Sequence, residues 1–189
     1  MLSLRAIINN ISKGQSAIAT RLILQSLESN YQQIRGSIML NGVTNKDNKP
    51  TIFTLMPASK RGIFYDIVVQ FQSADKITLD SQFQIYSNSP GFVYNFAYVF
   101  YKSGSLLFPQ HYPPDFLSLP PKIRNPFESI GFDKHCYAIL RYVTESKIET
   151  FLENAQDKMP QVKTFNELVR LIGQHDEELR ELKKQRQRK

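Results

Sequence analysis

Leu4, Ile7, Ile8 and Ile11 recur at i, i+3, i+4 and i+7. That spacing predicts a short amphipathic helix with Ser3 as N-cap and Lys13-Gly14 as its stop. Ser16 is placed to cap a second helix that runs to about Arg35 and ends at Gly36. Its seam is Ala17, Leu24, Leu27, Tyr31 and Ile34, widened by Ile18 and Ile23.

After Gly36 the pattern changes from helical to extended. Residues 37–43 and 51–56 are rich in β-formers, and the Thr-Asn-Lys-Asp-Asn-Lys-Pro between them has hairpin-loop chemistry. Residues 63–72 predict a long strand. Ile77, Leu79, Ser81, Phe83 and Ile85 alternate with polar neighbours, which predicts a half-buried strand. Ser87-Asn88-Ser89-Pro90-Gly91 signals a turn. Residues 92–101 are apolar on both faces and predict a central strand. Residues 105–108 and 136–143 complete the expected set. The fold class expected is α+β, with an antiparallel β core, sandwich or barrel-like, of about six or seven strands between terminal helices.

Residues 109–127 interrupt this core with Pro109, Pro113, Pro114, Pro120, Pro121 and Pro126. Proline at that density blocks helix and central strand alike. The insert also carries Tyr112, Phe116, Leu117, Leu119, Ile123 and Phe127, so it needs an apolar surface to lie on. Its own domain and a neighbouring subunit both offer one.

Ile148, Phe151, Leu152 and Ala155 predict a helix capped by Thr144 or Ser146 and stopped before Pro160. Thr164 and Glu167 form a capping box. The helix that follows places Phe165, Leu168, Ile172, His175, Leu179 and Leu182 on a seam at a 3.5-residue period. The seam is open to packing on the body or docking onto a partner helix. The organisation expected is N-terminal helices over 1–36, a β core over 37–143 with its arm at 109–127, and C-terminal helices with a basic tail over 144–189.

Composition sharpens this picture. Apolar residues are 41% and charged residues 22% of 189, enough for a real core and too apolar for wholesale disorder. A single cysteine excludes a disulfide framework and a cysteine-rich zinc or iron–sulfur site. The net charge of +7 is mostly one tail: residues 180–189 hold six basic residues and one acid, while the other 179 hold 18 basic and 16 acidic. Arg180, Lys183, Lys184, Arg186, Arg188 and Lys189 are therefore the residues expected to meet an anionic partner, protein or nucleic acid. Residues 1–11 are too short and too interrupted for an apolar signal core, and no run reaches the roughly 20 apolar residues of a membrane helix. A soluble protein made in a cytoplasm is expected, with no membrane partner.

Chemistry is sparsely signalled. Cys136 follows His135, and on a strand the two side chains would point to opposite faces, so no nucleophile–base pair is expected. His111 and His175 have no second ligand at a metal spacing. Asp176-Glu177-Glu178 suits i, i+4 pairing with nearby basic residues better than cation binding. Neither glycine-rich phosphate motif occurs, and Lys60-Arg61-Gly62 suits a hairpin tip. No catalytic residue, metal, cofactor or small-molecule substrate is expected.

The segment Tyr86-Ser-Asn-Ser-Pro-Gly-Phe-Val-Tyr-Asn-Phe-Ala-Tyr-Val-Phe-Tyr, within residues 37–143, resembles small virion structural proteins of tailed bacteriophages, at the head–tail neck or on the capsid. The resemblance implies a multicopy, non-enzymatic assembly subunit that is made in a host cytoplasm and ends in the virion. It includes no diagnostic motif and carries no functional residue across. On this view Tyr112, Phe116, Leu117, Leu119 and Phe127 bind a neighbour through the arm. Phe165, Leu168, Ile172, Leu179 and Leu182 bind one through the seam. The partners are copies of the chain, other subunits and packaged DNA. The alternative is a nucleic-acid-binding accessory protein acting through residues 180–189, with strongly salt-dependent affinity.

Overall fold

The computed structural model describes residues 1–11, 16–46, 49–57, 64–72, 77–120, 125 and 130–145. The helices and tail expected beyond residue 145, Phe127 and the Lys60–Gly62 tip lie outside them. The chain is α+β. Strands β2 (Met39–Lys46), β3 (Lys49–Pro57), β4 (Phe64–Phe71) and β5 (Gln82–Ser87) form an antiparallel meander. A two-residue strand, β1 (Leu2–Ser3), closes the far edge, giving the order β1-β5-β4-β3-β2. The β2–β3 register slips between Leu40 and Gly42, a bulge where glycine suits the local kink.

Residues 51–54 of β3 and 66–69 of β4 are buried in unbroken runs, so both faces of these central strands are covered. That explains why residues 67–69, Ile-Val-Val, show no alternation. β1 continues directly into α1 (Leu4–Ile11), which buries Leu4, Ile7 and Ile11, as their spacing predicts. Ser3 Oγ accepts from the Ala6 amide at 3.2 Å, as an N-cap should. α2 (Ala17–Ile34) starts where expected, with Ser16 Oγ accepting from the Ala19 amide.

Four expected strands are corrected. Residues 77–81 are a turn, with the Ser81 amide bonded to the Thr78 carbonyl at 3.1 Å, so the strand expected over 77–85 starts only at Gln82. Residues 92–101 are not extended. They form two short helices, α3 (Pro90–Asn95) and α4 (Ala97–Lys102), separated by Phe96 at φ −125°. Ser89 Oγ accepts from the Phe92 amide and Pro90 occupies the first turn, so the apparent turn signal is a helix start. Residues 136–143 lie within α6 (Lys134–Glu145). Cys136, Ile139, Leu140 and Val143 are spaced i, i+3, i+4, i+7, and tertiary burial turns that pattern into a helix. α6 also runs through Thr144, which therefore does not cap a following helix. Residues 105–108 make only one parallel bridge, Leu106 to Ile85. The described β structure is thus one open five-stranded sheet, not a sandwich or barrel of six or seven strands.

The arm begins with a tight turn over Pro109–His111 and the five-residue helix α5 (Pro114–Ser118), where proline starts each element. Phe108 leads into it at φ 53°, a left-handed conformation unusual for a bulky residue. Its ring is buried and packs edge-on to Tyr86 and His111.

Candidate functional site

Three features remain once the core is accounted for: the arm, a buried polar junction and the outer surface of α2. The arm lies on its own body at its start. Tyr112 is 5% exposed, and its hydroxyl accepts from the Ser87 amide and donates to the Ser87 carbonyl, both at 2.9 Å. Tyr112 is therefore a pin between the arm and β5, which corrects its assignment as a partner contact. Leu117 is half-buried against the core. Phe116 is half-buried with its ring edge-on to Tyr94, 5.2 Å between centroids. Leu119 is 59%, Tyr94 45% and Tyr101 49% exposed. A shallow groove of about 450 Å³ runs between Tyr101, Pro109, Tyr112, Pro114 and Leu117.

The polar junction joins two helix starts. Asp133 precedes α6, and its Oδ1 accepts from the backbone amides of His135 (2.7 Å) and Cys136 (3.3 Å). Its Oδ2 accepts from Ser89 Oγ at 3.2 Å, and Ser89 in turn caps α3. His135 Nδ1 lies 3.1 Å from Asp133 Oδ1, so beside an ionised carboxylate this nitrogen carries the hydrogen. Burial pushes the Asp133 carboxyl upward. The hydrogen bonds and charge of His135 and the Cys136 amide outweigh it and hold the group below the usual carboxylate range. Gly91 passes so close that any side-chain carbon there would strike Asp133 Oδ2.

Cys136 is fully enclosed, and burial, reinforced by the Asp133 charge, raises its thiol well above the ordinary range. A thiol that stays protonated and out of solvent is a poor nucleophile. His135 and Cys136 are successive residues of a helix, not alternate faces of a strand. Both are buried, and His135 turns to Asp133 and packs edge-on to Tyr65. The junction's visible chemistry is capping and packing. Among the described residues no three His, Cys, Asp or Glu side chains converge to hold a metal ion. No described helix is long and apolar enough to cross a membrane.

α2 has two unlike halves. Its C-terminal half buries Leu27 and Tyr31 and is clasped to α6. Glu28 accepts from Tyr137 Oη at 2.8 Å and from Arg141 Nε at 3.5 Å, Arg141 pairs with Glu145 at 2.7 Å, and Tyr31 Oη donates to Glu145 at 2.6 Å. Burial first, then the Glu28 carboxylate, pushes the Tyr137 phenol up to about 12. The N-terminal half reads Ala17-Ile-Ala-Thr-Arg-Leu-Ile-Leu24, and none of these residues is buried. Ile18 is 74%, Leu22 60% and Ile23 36% exposed. Ile18 and Leu22 lie one turn apart, on the side of the helix opposite Leu27. Sequence spacing had drawn Ile18 and Ile23 into the buried seam and passed over Leu22. The unread signal is that six of these eight residues are apolar and spread beyond one seam, with only Thr20 and Arg21 polar.

Phe165, Leu168, Ile172, Leu179 and Leu182, with the basic residues of 180–189, lie outside the described residues. Comparison with protein-family models, curated proteins and solved structures yields no match to this chain.

Proposed function

We propose that this protein is a non-enzymatic subunit of a larger assembly and associates through the exposed apolar side of α2. The observation that carries the reading is the pair Ile18 and Leu22, 74% and 60% exposed one turn apart on the side of the helix away from the core. Scattered surface leucines are ordinary, but Ile18, Leu22 and Ile23 exposed together on consecutive turns suit an interface. The exposed rim of Tyr94, Tyr101 and Leu119 offers a second contact rich in aromatic groups. The assembly that the sequence resemblance implies is the neck or capsid of a tailed-phage virion. Copies of this chain and neighbouring subunits would be its partners, and the basic tail would lie against DNA or an acidic surface.

Sedimentation of the full chain across a hundredfold range of concentration tests this. Self-association that rises with concentration is expected, and an Ile18→Asp, Leu22→Asp double variant is expected to stay monomeric. A wild-type chain that is monomeric throughout, and indistinguishable from the variant, removes α2 as a self-association surface. Retention on nucleic acid at low salt that vanishes on deleting residues 180–189 would favour the nucleic-acid-binding alternative.

A further inference from the structure

The outer edge of β5 is closed by three segments in turn. β1 covers its start, with Leu2 opposite Phe83 and Ser3 opposite Gln82. At Ile85 the amide donates to the Ser105 carbonyl at 2.8 Å, and the carbonyl accepts from the Leu107 amide at 2.9 Å. These two bonds make the single parallel bridge of Leu106 to Ile85. A further rung would run from the Ser87 amide to the Leu107 carbonyl, and the Ser87 carbonyl would need an amide hydrogen from residue 109. Residue 109 is proline, which has none. The ladder stops there, and the chain turns away at Phe108, with φ 53° and ψ 55°. It returns side chain first: the Tyr112 hydroxyl makes both bonds of the missing rung, to the Ser87 amide and the Ser87 carbonyl.

We propose that residues 109–118 form a strap that opens and closes on the end of β5 while the sheet stays folded, with Tyr112 as its latch and Phe108 as its hinge. Three observations support this. The latch is one side chain: the main chain holds Ile85, whereas a phenol alone takes both outward groups of Ser87. The hinge is strained. Phe108 is the one non-glycine residue at positive φ among the described residues, in a conformation that costs a bulky side chain energy and that a return to extended backbone would relieve.

The third observation is that the strap beyond Tyr112 is lightly held. α5 has five residues and none of them is buried, so Phe116 against the Tyr94 ring and the half-buried Leu117 are its apolar contacts with the body. Closed, the strap satisfies the last outward amide and carbonyl of β5. Open, it bares them at a sheet edge, where unpaired main-chain groups can take up a strand from another chain. The inference is independent of the assembly reading, because no residue of α2 takes part in it.

Native-state hydrogen exchange of the full chain over a series of low denaturant concentrations tests the proposal. The Ser87 amide is expected to exchange through a local opening whose rate hardly changes with denaturant. The hydrogen-bonded amides of β3 and β4 should exchange only with global unfolding and accelerate steeply. A Ser87 amide that follows those of β3 and β4 throughout would overturn the proposal, because the strap would then open only when the whole fold does. Tyr112→Phe keeps the ring and removes the hydroxyl, so its Ser87 amide should exchange about tenfold faster than in wild type, with the Ile85 amide unchanged. Equal Ser87 exchange in the two chains would overturn Tyr112 as the latch, and an acceleration shared by Ile85 would overturn Phe108 as the hinge. If the variant does not fold, the wild-type series decides alone.

Discussion

The two halves of α2 differ in apolar content in the opposite sense to their burial: six of the eight residues 17–24 are apolar against three of the ten residues 25–34, yet only the second half holds fully buried side chains. Leu27 and Tyr31 are buried against the body, and the polar groups around them are paired across to α6. Ile18 and Leu22, two to three turns earlier, face solvent. Position therefore outweighs composition. α6 begins where Asp133 caps it and is bonded to the C-terminal half through Glu28 and Tyr31, whereas in the N-terminal half only the side carrying Leu24 reaches the core. Burial follows from which surface arrives, and the more apolar half of a helix can be the less buried one.

Substitutions should separate the halves sharply. The largest loss of stability is expected from Leu27→Ala, about 2–5 kcal/mol by denaturant unfolding, because a core leucine leaves a cavity that the clasp prevents from collapsing. A cost near zero there would mean that the two halves are alike after all. Gly91→Ala ranks next, about 1–3 kcal/mol, since the added methyl must displace Asp133 from the start of α6. A free α6 should then loosen the clasp at Glu28 while leaving the Ile18 turn as it was, which hydrogen exchange would show.

A pH series sharpens the same contrast. Asp133 titrates lower in the folded protein than its ordinary range, so its stabilising contribution is fully present above about pH 4 and is lost as pH falls through the depressed value. Asp133→Asn keeps a capping side chain and removes the charge, so the acid limb of the stability curve should flatten. An unchanged limb would show that the junction does not anchor α6 electrostatically. The smallest effect on stability is expected from Ile18→Asp with Leu22→Asp, within about 0.5 kcal/mol per site for the isolated chain. Their effect should appear in association instead.

The parts of the fold legible in sequence are those whose pattern has one solution. α1 carries a single clean stripe, and β3 and β4 are β-rich runs bounded by polar segments. α6 is hard to read because it is enclosed nearly all round, and the Pro90–Lys102 helices because aromatic residues, Tyr94 and Tyr101, stand even on their exposed side. A continuous apolar run such as Phe92-Val93, or His135 to Leu140, loses the polar face that would mark its period. The signals that resolve them were local: Ser89-Pro90 as a helix start, and Asp133 three residues before Cys136 as a cap. The candidate surfaces were less legible. Tyr112 has the character of a contact residue and the position of a core pin, while Leu22 lies off the single seam that the spacing of Leu24, Leu27 and Tyr31 defines.

The sequence alone determined the antiparallel meander of β2 to β5, the starts of α1 and α2 and the concentration of positive charge in the last ten residues, since each depends on neighbours along the chain. Only the tertiary structure decided that Tyr112 turns inward to Ser87, that Asp133 ties the starts of α3 and α6 together, and that Ile18 and Leu22 of α2 are left in water. Those outcomes depend on which distant surfaces meet. Contacts between residues 25 or 44 positions apart are set by the packing of whole elements, which leaves no local period to read.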